Sequence, residues 1–217
     1  GVSPTEARLH KVLEELRLSE ARFKLLSDIA GRLLAKTDPQ GLVNDVCREV
    51  MERLDCQVFF NLLVDESASK LHLNAWGGVQ EKAAAEIEWI ELDAACSICG
   101  AVACGGNRIV AEYIQQKSDA NAALVKGMGI QAYCCHPLRI ESKLIGTLSF
   151  GTATRPQFTE NEIEIMRAVS DQVATAMNRV GQEKALREAN ASLDRKVQKR
   201  TSELEATYRT APVGLAV

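Results

Sequence analysis

Cys96-Ser97-Ile98-Cys99 is a C-x-x-C, with Cys104 five residues on and Cys134-Cys135-His136 further downstream. Soft thiolates with imidazole suit zinc or an iron–sulfur cluster. A C-x-x-C that opens a helix also suits a thiol redox pair, because a helix N-terminus lowers a thiol's pKa. The spacing limits both chemistries. Cys134 and Cys135 are neighbours in a strand-like run, so their side chains leave on opposite faces and do not readily serve one metal. A metal or redox centre on Cys96, Cys99 and Cys104 is therefore the alternative reading. Seven cysteines is an odd number, and no secretion pattern opens the chain, so free thiols of a cytoplasmic protein are expected.

Other chemistry is thin. His10 sits in a helical pattern, but Lys11 follows it where a phosphoacceptor histidine would have an acidic residue. Gly100 and Gly105-Gly106 do not form a phosphate-binding loop, and neither a Gly-x-Ser-x-Gly elbow nor a His-Glu-x-x-His pair is present. No catalytic residue is assigned, no cofactor is required, and no enzyme activity is expected of this segment. With 217 residues, 46% hydrophobic and 25% charged, the chain has the composition of a soluble protein. A net charge of −3 with 5% aromatic residues argues against nucleic acid. No apolar run nears the ~18 residues of a membrane span.

The elements that must position these residues follow from periodicity. Leu9, Val12, Leu16, Phe23, Leu26, Ala30 and Leu33 mark a helix from Pro4 to Leu34, with a narrow seam that broadens from Phe23 onward. Asp38-Pro39 is a helix start. Leu42, Val43, Val46, Cys47, Val50, Met51 and Leu54 give the next helix one apolar face, with Cys47 a core residue. Val58 to Val64 reads as a strand. Leu71, Leu73 and Ala75 alternate with His72, Asn74 and Trp76, the pattern of a strand buried on one face, ended by Gly77-Gly78. A short helix from Gln80, a strand at Trp89–Leu92, a mildly helical stretch over 94–106 and a strand at Arg108–Val110 follow. A short helix near Ala122–Lys126 precedes two strands, 131–140 and 143–151.

Thr159 and Glu162 form a capping box before Ile163, Met166, Val169, Val173, Met177 and Val180. Leu186, Leu193, Val197 and Leu204 continue the stripe with no intervening proline. A helix of about 45 residues, roughly 70 Å long, predicts a dimeric coiled coil. Asn190 falls at an a position, where a polar residue fixes register. The expected seam is Leu16, Phe23, Val173, Val180, Leu186, Asn190, Leu193, Val197 and Leu204. The class is α+β, with helices on one side of an antiparallel sheet and long coiled-coil helices on both flanks.

The order of these pieces resembles a GAF domain. The residues that carry it are Phe60–Leu63, Leu71–Gly78, Cys99-Gly100-Ala101-Val102-Ala103, Arg108–Glu112, Cys135-His136-Pro137-Leu138, Ile145–Gly151 and Phe158-Thr159. Leu193–Glu205 resembles the signalling helix of sensor histidine kinases, and Tyr208–Val217 resembles the start of a PAS domain. The division implied is a signalling helix at 1–37, a GAF domain at 38–180, a coiled-coil linker at 181–207 and a PAS-like start at 208–217. The resemblance implies a non-enzymatic sensor in a homodimeric two-component transducer, relaying a pocket or sheet change through parallel helices. It places a small-molecule pocket against Phe60, Trp76, Trp89, Cys99, Ile109, Tyr113, Tyr133 and Cys135. Bilin attachment at Cys135-His136 is disfavoured by its place in a strand. A cyclic nucleotide is disfavoured because the Asn-Lys-Phe-Asp-Glu signature is absent. Haem at His136 or His72 has no support. An enzyme like the GAF-fold methionine sulfoxide reductases, which use cysteines, is a third reading, and the flanking helices argue against it.

Overall fold

A computed structural model describes residues 4–35 and 39–210. Helices α1 (Pro4–Ala35) and α2 (Pro39–Arg53) lead into strands β1 (Val58–Asp65) and β2 (Lys70–Gly77). Then come α3 (Glu81–Glu86), β3 (Trp89–Glu91), α4 (Ile98–Gly105) and β4 (Ile109–Ala111). Two 3₁₀ turns, Ile114–Gln116 and Ala120–Ala122, precede α5 (Ala123–Gly127), β5 (Ala132–Ile140), β6 (Lys143–Thr152) and α6 (Glu160–Thr210). Compactness divides the chain after Met177, and the sheet lies wholly in the first unit. The second unit, from Asn178, is helical through Thr210. Asp38 and the PAS-like residues beyond Thr210 lie outside the described residues.

All six strands join one antiparallel sheet in the order β3-β2-β1-β6-β5-β4. Both of its faces are covered, where the sequence predicts helices on one side only. One face carries Phe59, Ala75, Cys134, Leu148 and Phe150, packed with Ile29, Val43, Val46, Met166 and Val169. The other carries Val58, Phe60, Leu62, Leu71, Tyr133 and Cys135 under Ile98, Val102 and Val125. This explains why β1 is apolar on both faces, interrupted only by the buried Asn61, rather than alternating with exposed polar residues. A strand buried on both faces has no solvent side to make polar.

Strand β2 departs from simple alternation. Asn61 pairs with Ala75 and Leu62 with Leu73, which leaves Asn74 as a bulge residue. Leu73 and Ala75 therefore face opposite cores. Asn74 Nδ2 donates to buried Asn61 Oδ1 at 2.8 Å, and Asn61 Nδ2 donates to the Thr147 carbonyl at 3.1 Å. The bulge is thus held by a polar bridge inside the sheet.

On α1 the inward face is set by Leu25 and Ile29, both buried, and not by Phe23, which is 75% exposed. Val173 makes a second correction. It is fully buried in the domain's own core and has no surface left for a dimer seam. The capping box forms as expected. Thr159 N–H donates to Glu162 Oε2 at 2.7 Å, and Glu162 N–H donates to Thr159 Oγ1 at 3.3 Å. Arg155 fixes this helix start to the α2–β1 corner, donating to Glu162 Oε1 and the Leu54 carbonyl, each at 2.6 Å.

Close approach dictates Gly100. A Cβ there would stand 2.5 Å from the Asp93 carbonyl oxygen and 2.9 Å from that of Glu91. Gly31 is the opposite case, a helical glycine with open space around its missing Cβ. Gly100→Ala is expected to destabilise the fold by ~1–3 kcal/mol through overpacking. Gly31→Ala should stabilise it by roughly 0.5–1 kcal/mol by stiffening the unfolded chain and favouring helix. Urea midpoints at neutral pH check the pair, and equal shifts in the same direction would refute the packing argument.

Candidate functional site

Ser97 caps α4 by accepting from Gly100 N–H at 2.9 Å, which turns Cys99 inward onto the sheet. The bare face of Gly100 lets this helix lie flush on the 91–93 backbone. Phe60 and Leu62 of β1, Tyr133 of β5 and Cys99 then enclose a cavity of about 20 Å³. Its cover is the segment around Asn121, Leu124 and Val125. Asn121 Nδ2 donates to the Ala94 carbonyl at 2.9 Å, and Gln115 Nε2 donates to the Lys126 and Ile130 carbonyls at 3.0 and 2.8 Å. These contacts latch the cover on both sides.

The floor is polar in one direction only. Cys135 Sγ donates to Cys99 Sγ across 3.8 Å, and Cys99 Sγ meets Tyr133 Oη at 3.5 Å. Tyr133 Oη donates to Ser149 Oγ at 2.6 Å, which donates to the Phe60 carbonyl at 3.1 Å. Each proton in this buried chain points toward the main chain. Of the two touching thiols, Cys99 is the more readily ionised. Its pKa is lowered by the hydrogen bond that Cys135 donates, against burial. Burial raises Cys135 and Tyr133 well above their ordinary values, so both stay protonated.

The opposite face of β5 behaves differently. Cys134 Sγ lies 3.3 Å from His136 Nε2, both buried. Burial pushes the Cys134 thiol up to about 12. Cys134 and Cys135 do leave on opposite faces, and both are core.

Of the residues placed at the pocket from sequence, Phe60, Cys99 and Tyr133 line the cavity, and Cys135 stands behind Cys99. Trp89 is 46% exposed and meets His72 in a tilted ring contact, with centroids 4.4 Å apart. Trp76 lines a separate groove with His72, Glu81 and Glu88. Ile109 pairs with Cys135 at the sheet edge, and Tyr113 holds a left-handed backbone (φ 56°) with Lys117 Nζ 5.7 Å from its ring. The proposed Cys96, Cys99 and Cys104 centre does not gather. Cys96 is exposed and donates to Asp93 Oδ2 at 3.4 Å, which raises its pKa, and Cys104 is exposed on α4. Among the described residues no cluster of three His, Cys, Asp or Glu could hold a metal ion. Sequence reasoning missed Ile87, Ile90, Asn121, Thr147 and Ser149. The hydroxyls of Thr147 and Ser149, two apart within an apolar strand, were the legible signal.

His136 supplies a pH test. Burial, then the Arg108 and Arg167 charges, lower its pKa to about 4 against a weaker pull from Glu164. Between an unfolded pKa near 6.5 and this folded value, the unfolded chain binds a proton that the native state refuses. Stability therefore falls as pH drops through that window, by about 2 kcal/mol at pH 5. His136→Asn should flatten that part of the curve, measured by urea unfolding at pH 7 and pH 5. An equally steep acid loss in the variant would contradict the assignment.

Comparison with known proteins now places the fold. A GAF domain of a phosphoenolpyruvate-protein phosphotransferase from Coxiella burnetii is similar at TM-score 0.66 and 15% identity, covering 76% of this chain and 96% of that one. The free methionine-R-sulfoxide reductase of Neisseria meningitidis, solved with its substrate, is similar at TM-score 0.63 and 17% identity, covering 75% and 91%. A domain ascribed to a two-component sensor histidine kinase of Sinorhizobium meliloti 1021 is similar at TM-score 0.52 and 23% identity, covering 67% and 92%. Comparison with curated proteins gives no match. The family model of the GAF domain matches residues 36–178, well over half of the chain, and the chain belongs to the GAF family.

Proposed function

We propose that this chain is a regulatory, non-catalytic sensor module of a dimeric cytoplasmic signal transducer of the histidine kinase type. The flanking helices would pair with their copies in a second chain and carry a change in the domain to the next one. Small helix shifts at such interfaces are an established switching mode. The observation that carries this reading is the exposed apolar stripe on both helices. Leu9, Val12, Leu16 and Phe23 on α1 are all exposed, as are Leu186, Leu193, Val197 and Leu204 on α6. The α6 set follows spacings of 7, 4 and 7, the a/d pattern of a two-stranded coiled coil, with exposed Asn190 at an a position. Val180, half-buried, begins that stripe. Each exposed leucine would gain on the order of 2 kcal/mol by burial.

Domain boundaries at 38–180 and 181–207, and a PAS-like neighbour from Tyr208, accord with this reading. A small molecule in the pocket remains an input of the same scheme. No helix among the described residues is long and apolar enough to cross a membrane.

Sedimentation equilibrium should return a dimer at micromolar concentration. Leu193→Glu combined with Val197→Glu should return a monomer whose far-ultraviolet spectrum still reports a folded domain. A wild-type monomer at high micromolar concentration would overturn the relay. Turnover of free methionine sulfoxide by the purified chain would overturn the non-catalytic part, since a fold neighbour performs that reaction.

A further inference from the structure

Cys99 and Cys135 come from elements 36 residues apart in sequence, yet their sulfurs touch at 3.8 Å with both side chains buried. Three further features distinguish them from thiols that merely fill space. Cys99 faces the cavity, whereas Cys135 lies behind it against the sheet. The hydrogen bond that Cys135 donates gives Cys99 the less basic sulfur. The Thr147 hydroxyl is wholly buried without a hydrogen-bond partner, two residues from Ser149 on the same strand face. An orphaned buried hydroxyl is costly in a resting core, about 1–3 kcal/mol. It has a use beside a sulfur that becomes negative.

We propose that Cys99 and Cys135 form a peroxide-reactive thiol pair at the pocket floor, with Cys99 attacked first and Cys135 resolving it to a disulfide. The Cys99 thiolate displaces hydroxide from hydrogen peroxide, and with one proton the products are water and Cys99 sulfenic acid. The Cys135 sulfur then attacks the Cys99 sulfur. The sulfenic hydroxyl leaves with the Cys135 proton as a second water. In sum, two thiols and one peroxide give one disulfide and two waters. The sulfurs must close from 3.8 Å to ~2.05 Å, which side-chain rotation and a small settling of α4 onto β5 supply.

Cavity size selects the oxidant. A volume of about 20 Å³ admits one molecule the size of water or hydrogen peroxide, since ~10–15 Å³ suffices for a water. It excludes a tripeptide disulfide. The exposed thiols Cys96 and Cys104 lack this filter.

The test uses the Cys96→Ser/Cys104→Ser protein, in which only exposed thiols are removed. Brief hydrogen peroxide treatment should lower the intact mass by two hydrogens, with a Cys99–Cys135 peptide link that dithiothreitol reverses. Glutathione disulfide should leave the folded protein unmodified. Adding Cys135→Ser should instead leave a sulfenic acid on Cys99, trapped by dimedone. If that variant fails to fold, the peptide link in the parent protein decides alone. Thiols that all remain alkylatable after peroxide overturn the proposal, as does a link between other cysteines. Equal reactivity with glutathione disulfide overturns the size filter and with it the site. The proposal stands apart from the dimeric relay: a monomer that forms the link upholds it, and a dimer inert to peroxide overturns it alone.

Discussion

The Tyr133 hydroxyl, donating to Ser149 at 2.6 Å in the middle of the fold, is the contact on which the pocket side depends. A buried phenol without a partner costs about 1–3 kcal/mol, so this tyrosine is tolerable only where a second polar group meets it. Ser149 meets it and passes its own proton to the Phe60 carbonyl, so one short chain spans β5, β6 and β1. Cys99 leans on the same oxygen, which sets where α4 can sit. Chains of buried hydrogen bonds reinforce one another and leave little slack. That is why the cavity above them is small and well defined rather than a loose gap.

The other side of the sheet solves a different problem. There the polar groups are Asn61, Asn74, His136 and Cys134, and the charges of Arg108 and Arg167 bear on the His136 ring. His136 is kept neutral by burial, so this face is sensitive to acid, while the pocket face is sensitive to whatever can ionise Cys99. One strand, β5, carries both sets on alternate residues. Titration and thiol chemistry are thereby placed on opposite faces of one sheet, separated by a single pleat.

Much of this was legible in the sequence, and the gaps have physical causes. Element types followed from period, and the start of α6 from its capping box. The parity of Cys134 and Cys135 followed from strand geometry. Which of the two lies on the pocket side did not follow from the pattern, because both faces of the sheet are buried and equally apolar; only the family resemblance pointed to Cys135. Trp76 and Trp89 are placed at the pocket by the family resemblance, yet the Asn74 bulge lies between the strand's two halves, and β3 is a sheet edge where Trp89 finds His72 instead. On α1 the stripe through Phe23 and the stripe through Leu25 differ by two residues, and only packing into the core separates them. The Cys99–Cys135 contact joins segments with no shared local pattern, so no spacing rule could have found it.

Helix α6 joins two apolar repeats that ask for different partners. Ile163, Met166, Val169 and Val173 recur at 3, 3 and 4, close to the 3.6-residue period of a straight helix on a globular core, and all are buried. Leu186, Leu193, Val197 and Leu204 recur at 7, 4 and 7, the 3.5-residue period of a supercoiled pair, and all are exposed. A straight helix drifts by roughly 20° per heptad against the second repeat. The later stripe therefore stays on one line only if the helix bends around a partner of the same period. In the proposed dimer, a second copy of the same helix would have that period by identity and could cover these side chains along their whole length. One period gives way to the other between Val173 and Leu186, within a single helix.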